Sequence, residues 1–255
     1  MPFDLKDRLA QYIGACEPLL YAFSFRWKAF RSSSDGASSA QDRGFAEWFQ
    51  EVAPLFKERE ESSKLPYLAS TAHGTVLELG PGTGSQIPRY NLSQITKIYG
   101  VEPNVVFAKA LESQIAQFNA SDVYVPVYGR VEEESVLEKY GITDESLDCV
   151  TSFQVLCSVD RPEETVERLW RLLRPGGEFV FWEHEASRDL VTWVVQKFWS
   201  ILWPLAHSGC RLDRPVGDIV LKSAKWEVVE FEREGEKWAV MPRVYGRLRK
   251  PKTAE

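Results

Sequence analysis

Apolar positions recur along this 255-residue chain in two rhythms, and the change between them marks out its elements. Over residues 3–30 the spacing is helical, with Leu5, Leu9, Tyr12, Ile13, Leu19, Leu20 and Phe23 forming an imperfect apolar stripe. Pro18 predicts a break or kink there, because proline removes a helical hydrogen bond and crowds the preceding turn. The aromatics Tyr21, Phe23, Phe25, Trp27 and Phe30 are expected to pack on the domain, as most such stripes do. Ser32 to Ser39 has the composition of a flexible loop. A second helix is predicted over 41–58, carrying Phe45, Trp48, Phe49, Val52 and Phe56.

From Thr75 onward, short apolar runs alternate with helical segments, which argues for a parallel sheet covered on both faces. Strands are predicted over 75–79, 95–102, 122–128, 147–157 and 178–184. Helices are predicted over 104–118, with Asn104 as its N-cap, and over 162–173, stopped by Arg174-Pro175-Gly176-Gly177. The segment 190–206 is apolar nearly all round, with Trp193, Phe198, Trp199 and Trp203. Such a helix is buried, lies against a membrane surface, or roofs a hydrophobic pocket, and its place between two strands favours the roof. Strands over 226–233 and 237–248, joined at Glu234-Gly235-Glu236, predict a closing antiparallel hairpin. The expected organisation is a helical cap over 1–70 and a core over 71–255, with an aromatic lid over 188–213.

Composition changes this picture mainly by exclusion. A net charge of −6 without a Lys/Arg block argues against nucleic acid as a partner. The basic end Arg247-Leu248-Arg249-Lys250-Pro251-Lys252 reads as a short solvated tail. Cys16, Cys149, Cys157 and Cys210 are widely spread, a reduced, intracellular usage. With three histidines and no His/Cys cluster along the chain, no metal site is expected. The start MPFDLKDRLA is charged early, and no apolar run reaches the roughly 18–20 residues of a membrane span. The chain is expected to be cytoplasmic, a monomer or homodimer, with peripheral membrane contact left open.

The chemistry concentrates at Thr75-Val76-Leu77-Glu78-Leu79-Gly80-Pro81-Gly82-Thr83-Gly84-Ser85. A strand ends in an acid and enters a turn with glycine at alternate positions, which lets backbone approach a ligand closely. The dinucleotide fingerprint would place its third glycine at Ser85, and here it is Gly84. Glu78 directly before the turn suits a cationic ligand better than a pyrophosphate. Glu102 ends the next strand about 20 residues on, where a carboxylate can bridge both hydroxyls of a ribose.

Glu78-Leu-Gly-Pro-Gly-Thr-Gly84, Gly100-Val-Glu102-Pro-Asn104, Ser146-Leu-Asp148 and Leu172-Leu-Arg-Pro-Gly-Gly177 at these spacings resemble a class I S-adenosylmethionine-dependent methyltransferase over about 75–185. The resemblance implies a Rossmann-like α/β fold, a seven-stranded, mostly parallel sheet with an antiparallel closing hairpin. It implies S-adenosyl-L-methionine as cofactor and S-adenosyl-L-homocysteine as product. Cofactor contacts carry over to Glu78, Gly80, Pro81, Gly82, Thr83, Gly84, Glu102, Pro103, Asn104, Arg130, Val131, Phe153 and Gln154. The Leu-Arg-Pro-Gly-Gly turn is typical of the branch acting on small molecules. Gln154-Val155-Leu156 stands where base-modifying relatives have Asn/Asp-Pro-Pro-Tyr/Phe.

Outside the core, Val155-Leu156-Cys157-Ser158-Val159, Phe181-Trp182-Glu183-His184, Gly209-Cys210-Arg211-Leu212-Asp213-Arg214 and Pro242-Arg243-Val244-Tyr245-Gly246 resemble the methyltransferase-like group that includes alkyl thiol S-methyltransferases. That group commonly has Asp before the Gly-Cys pair and His after the late proline, where this chain has Ser208 and Arg243. The resemblance implies S-methylation of a small, apolar thiol. O- or C-methylation, a reaction without methyl transfer, and a noncatalytic partner subunit stay open as alternatives. His184, ending the fifth strand, is the expected base or orienting group, with His207 second and Glu183 orienting His184. Cys210 reads as structural, because transfer from a sulfonium needs no covalent intermediate on the enzyme.

Overall fold

A computed structural model describes residues 5–14, 16–31, 39–236 and 238–252. The predicted loop from Ser32 to Ser39 lies outside the described residues except for Ser39. Seven strands form one sheet, β1 (Gly74–Leu79), β2 (Ile95–Glu102), β3 (Tyr124–Tyr128), β4 (Leu147–Phe153), β5 (Leu173–His184), β6 (Glu227–Glu234) and β7 (Arg243–Arg249). Their order is β3-β2-β1-β4-β5-β7-β6, with β7 antiparallel to both neighbours and the rest parallel. The seven-stranded, doubly covered sheet expected from the alternation is the one observed.

The period of two along each strand divides the core between two faces. Leu77 and Leu79 of β1, Val150 of β4, and Phe179 and Phe181 of β5 enter one apolar cluster. Their neighbours Val76, Cys149, Val180 and Trp182 enter the other. Both faces are buried, so these strands read as near-continuous apolar runs.

The chain opens with α1 (Leu5–Gly14), α2 (Cys16–Arg31) and α3 (Ala40–Glu61). Pro18 sits in the first turn of α2, where its missing N–H leaves no helical bond unmade. Ser39 caps α3 by accepting from the Asp42 backbone N–H at 3.0 Å. The helix runs through Pro54. α4 (Leu65–Ser70) puts Leu65, Leu68 and Ala69 into the core beside Val76. After β2, a single tight turn (Val105–Phe107) capped by Asn104 leads into α5 (Ala108–Gln117). α6 (Glu134–Glu138) follows β3, and α7 (Pro162–Leu172) links β4 to β5. α7 buries Val166, Leu169 and Leu172, one helical face.

Four expectations need correction. The segment 190–206 is two helices, α8 (Leu190–Trp199) and α9 (Trp203–Ala206), and α8 is inverted. Its polar Thr192 and Gln196 are fully buried, while Leu190, Val191, Val194 and Phe198 are exposed. Hydrogen bonds decide this. Tyr12 Oη meets Thr192 Oγ1 at 2.7 Å, Gln196 Oε1 accepts from Ser187 N at 2.7 Å, and Gln196 Nε2 donates to Val240 O at 2.9 Å. Arg8 pairs with Asp189, the N-cap of α8. α10 (Val216–Ser223) then leads to β6.

The aromatic stretch of α2 is only partly packed, because Trp27 and Phe30 stand exposed. The basic C-terminal run is no solvated tail. Its first three residues end β7, where Arg247 and Arg249 each place a guanidinium nitrogen 2.8 Å from Glu178. Lys250 is buried and donates to Leu173 O at 2.7 Å. The final strand begins only at Arg243, so the connection from β6 is longer than a tight turn.

Candidate active site

The C-terminal ends of β1, β2, β4 and β5 open into one cleft of about 800 Å³, the usual place for a ligand in such a sheet. One end is built by the Gly-rich turn. Gly80 and Gly82 have φ of 59° and 55°, left-handed values that glycine adopts without strain. Gly82 N donates to Glu102 Oε2 at 2.9 Å, and Asn104 N donates to Glu102 Oε1 at 2.8 Å. The carboxylate is thereby fixed at the end of β2, with further lone pairs for two hydroxyls. Glu78, at the end of β1, accepts from Tyr124 Oη at 2.6 Å. Burial pushes both Glu78 and Glu102 up to about 7. Two desolvated carboxylates held beside an open turn are suited to a cationic ligand bearing a diol.

Glu78, Gly80, Pro81, Gly82, Glu102, Pro103, Asn104, Arg130, Val131, Phe153 and Gln154 all line this cleft. Two residues expected with them do not. A Cβ on Gly84 would meet Ile87 and Leu111 at 3.0 Å, so its glycine serves packing. Thr83 opens on the other side of the turn, beside Pro88 and Gln114. Arg130 stands at the exposed rim, 3.5 Å from Asp160.

The other end of the cleft is aromatic and sulfur-rich. Phe45, Trp48, Phe49 and Phe56 of α3 form one wall, and Trp203 and Met241 approach from the far side. Sequence periodicity showed these as a helical stripe without showing which cavity they face. His207 lies between Trp203, stacked at 4.0 Å, and Trp48, edge-on at 4.7 Å. Its Nδ1 is 3.3 Å from Trp203 O, which makes Nδ1 the donor and leaves buried Nε2 a lone-pair acceptor without a partner among the described residues. Burial lowers its pKa to about 4, so the ring stays neutral.

His184 lines the same region, with Nδ1 3.4 Å from Cys210 Sγ. Burial, then Arg243, lowers its pKa. Cys157 also lies here, bringing two sulfurs and one imidazole together. Sequence spacing missed this His/Cys group because its members come from three separate segments. A hydrogen bond from Cys157, aided by His184, holds the Cys210 thiol well below its usual range, while Cys157 is raised. Glu183 does not orient His184. It is fully buried outside the cleft lining, and its Oε1 accepts from Ser152 Oγ at 2.7 Å and Val155 N at 3.0 Å. Neighbours on a strand point to opposite faces.

Arg243 was anticipated only as a departure from a histidine pattern. It is buried, stacks on Trp182 at 4.6 Å, and donates to Gln154 Oε1 at 3.2 Å and Met241 O at 3.1 Å. Its Nε has no partner among the described residues. Burial brings its pKa down to about 10, which leaves it charged at neutral pH.

The fold and cleft define a class I S-adenosylmethionine-dependent methyltransferase. Residues 40–234 match the family model described as "Methyltransferase domain", and the chain belongs to that family. A curated relative, "Thiol S-methyltransferase TMT1B" of Rattus norvegicus, is 31% identical over 200 residues, covering 75% of this chain and 77% of its own. Among solved structures, an O-methyltransferase family protein from Burkholderia thailandensis superposes with TM-score 0.61 at 14% identity, over 92% of this chain and 72% of that one. The [4+2]-cyclase SpnF gives 0.59 at 15% identity, over 83% and 96%. These two likenesses concern the fold.

Proposed function

We propose that this methyltransferase acts on the sulfur of a small apolar thiol. The carrying observation is Arg243, a buried cation with an unpartnered Nε at the aromatic end of the cleft. A free thiol titrates near 8.5 and reacts as thiolate, and a fixed positive charge nearby favours that form. The aromatic wall of α3 accommodates an apolar body, and the name of the rat relative agrees with a thiol acceptor.

S-adenosylmethionine, when bound, supplies an electrophilic methyl on a cationic sulfur. Glu78 balances positive charge at the Gly-rich end, and Glu102 takes the ribose hydroxyls. His207 Nε2 accepts the thiol S–H and aims the sulfur along the cleft, its proton leaving to water. Arg243 holds the resulting anion. The aromatic walls exclude water, so the remaining contribution is alignment of sulfur and methyl.

The test is incubation with methyl-labelled S-adenosylmethionine and a panel of alkyl and aryl thiols, phenols and carboxylic acids. Label on thiols with matching S-adenosylhomocysteine is expected. Label confined to oxygen or carbon acceptors overturns the thiol assignment.

A further inference from the structure

Cys157 follows β4, His184 ends β5, and Cys210 lies in the loop after α9. Their two sulfurs and one ring nitrogen lie within 4.8 Å of one another. The backbone enforces this approach. Arg211 N donates to Cys157 O at 3.0 Å, and Gly209, at φ 86°, passes so close that a Cβ would stand 2.7 Å from Ser158 O. A side chain at 209 would push the two cysteine-bearing loops apart.

We propose that Cys157, His184 and Cys210 bind a thiophilic divalent cation of the zinc class, whose fourth position takes the acceptor sulfur. The inference rests on the thiol reading above. Three protein ligands and one open position are the arrangement of catalytic zinc sites, and Cys2His is one of their donor sets. Zinc–sulfur and zinc–nitrogen bonds of about 2.3 and 2.0 Å at tetrahedral angles place sulfur and nitrogen about 3.5 Å apart. His184 Nδ1 and Cys210 Sγ are 3.4 Å apart. The site opens into the cleft that holds the aromatic wall, and all three residues line it.

Charge and neighbouring groups fit the same assignment. Two cysteine thiolates, a neutral imidazole and one acceptor thiolate around a divalent cation sum to a single negative charge. Arg243, within electrostatic reach of both cysteines, offsets it. His207 Nε2, buried and unpartnered in the same wall, is placed to accept a hydrogen bond from an arriving thiol.

The thiol gives its proton to water as its sulfur takes the fourth position. A bond then forms from that sulfur to the methyl carbon as the bond from methyl to the donor sulfonium breaks. The thioether product is a poorer ligand than a thiolate and leaves, with S-adenosylhomocysteine, returning the cation to its three protein ligands.

The full chain, reduced and stripped with a chelator, is titrated with Co2+ as a spectroscopic stand-in and with Zn2+ in competition. One equivalent is expected to bind, with thiolate-to-cobalt absorption in the near ultraviolet that Zn2+ abolishes. Cys157→Ser and Cys210→Ser should each remove most of that band, while circular dichroism and S-adenosylmethionine binding report that the variants fold. An alkanethiol should intensify the band in the wild type. Binding well below one equivalent, or a band of wild-type intensity kept in both Ser variants, overturns the site. An unchanged band with alkanethiol overturns the acceptor's place on the metal. If the metal-free chain methylates thiols at the full rate, this inference fails and the thiol reading stands. If the metal binds and no thiol is methylated, the thiol reading fails.

Discussion

Glu60 Oε1, at the end of α3, accepts a hydrogen bond of 2.8 Å from Gln154 Nε2, at the end of β4. The same carboxylate takes Arg89 Nη1 at 2.5 Å, and Gln154 Oε1 accepts from Arg243. A buried polar chain therefore runs from the Gly-rich segment through α3 to the acceptor end of the cleft. Gln154 holds φ at 63°, an unfavourable value for a non-glycine residue that this network fixes.

Removing Glu60 leaves Arg89 with the half-exposed Glu61, at 2.9 Å, as counter-charge and with the neutral Gln86 Oε1, at 2.6 Å. Glu60→Ala is expected to destabilise the fold by about 3 kcal/mol, the low end for breaking a buried pair. That corresponds to a fall in melting temperature of roughly 6–12 °C for a chain of this size. Glu61→Ala should change it by no more than about 1 kcal/mol. Thermal unfolding of the two variants side by side checks the difference.

Glu78 and Glu102 are both pushed up to about 7 by burial, and a cationic ligand requires Glu78 ionised. Cofactor affinity should therefore rise from pH 6 to pH 8, and Glu78→Gln should flatten the dependence. In the ligand-free chain the sign is opposite. Carboxylates raised in the folded state stabilise it fully below their unfolded value near 4.5, and that contribution is lost as pH rises through 7. S-adenosylmethionine should accordingly raise the melting temperature more at pH 8 than at pH 6. Calorimetric titration and thermal shifts across this window measure both trends.

Glu102→Ala removes the acceptor for Gly82 N and Asn104 N together with the ribose partner. Losing hydrogen bonds to a charged group weakens binding by about 1.5–3 kcal/mol, or roughly 10–100-fold. The ribose is remote from the reacting methyl, so KM for the cofactor should rise with little change in kcat. Steady-state kinetics at saturating acceptor separate the two.

The inversion of α8 predicts an unusual pair of outcomes. Gln196→Leu, which makes the helix more apolar, should cost about 1–3 kcal/mol by removing the buried hydrogen bonds of Gln196 with Ser187 N and Val240 O. Phe198→Ser, at a side chain 63% exposed, should stay within about 0.5 kcal/mol of wild type. Denaturant titrations of both variants decide whether the polar or the apolar face is the buried one.

The sheet and the cofactor end were legible in the sequence because their signals are local. A strand, an acid and a glycine turn occupy consecutive positions from Thr75 to Ser85, and Glu102 follows at a fixed distance. Alternating apolar runs then specify strands that are buried on both faces. The placement of Thr83 and Gly84 outside the cleft could not be read the same way. Spacing says that a turn exists, while neighbours such as Ile87 and Leu111 decide which side of it meets a ligand.

The chain by itself determined the class of fold, the order of its elements and the acids that face a cofactor, since each depends on residues near one another in sequence. Tertiary structure alone decided the rest. It turned α8 polar side inward, because hydrogen bonds of Thr192 and Gln196 with Tyr12, Ser187 and Val240 outweighed the apolar pattern of that helix. It drew the basic end into the sheet, because Glu178 was waiting there as a buried counter-charge. It brought Cys157, His184 and Cys210 within 4.8 Å, a proximity made by two loops converging on the end of one strand and written in no local spacing.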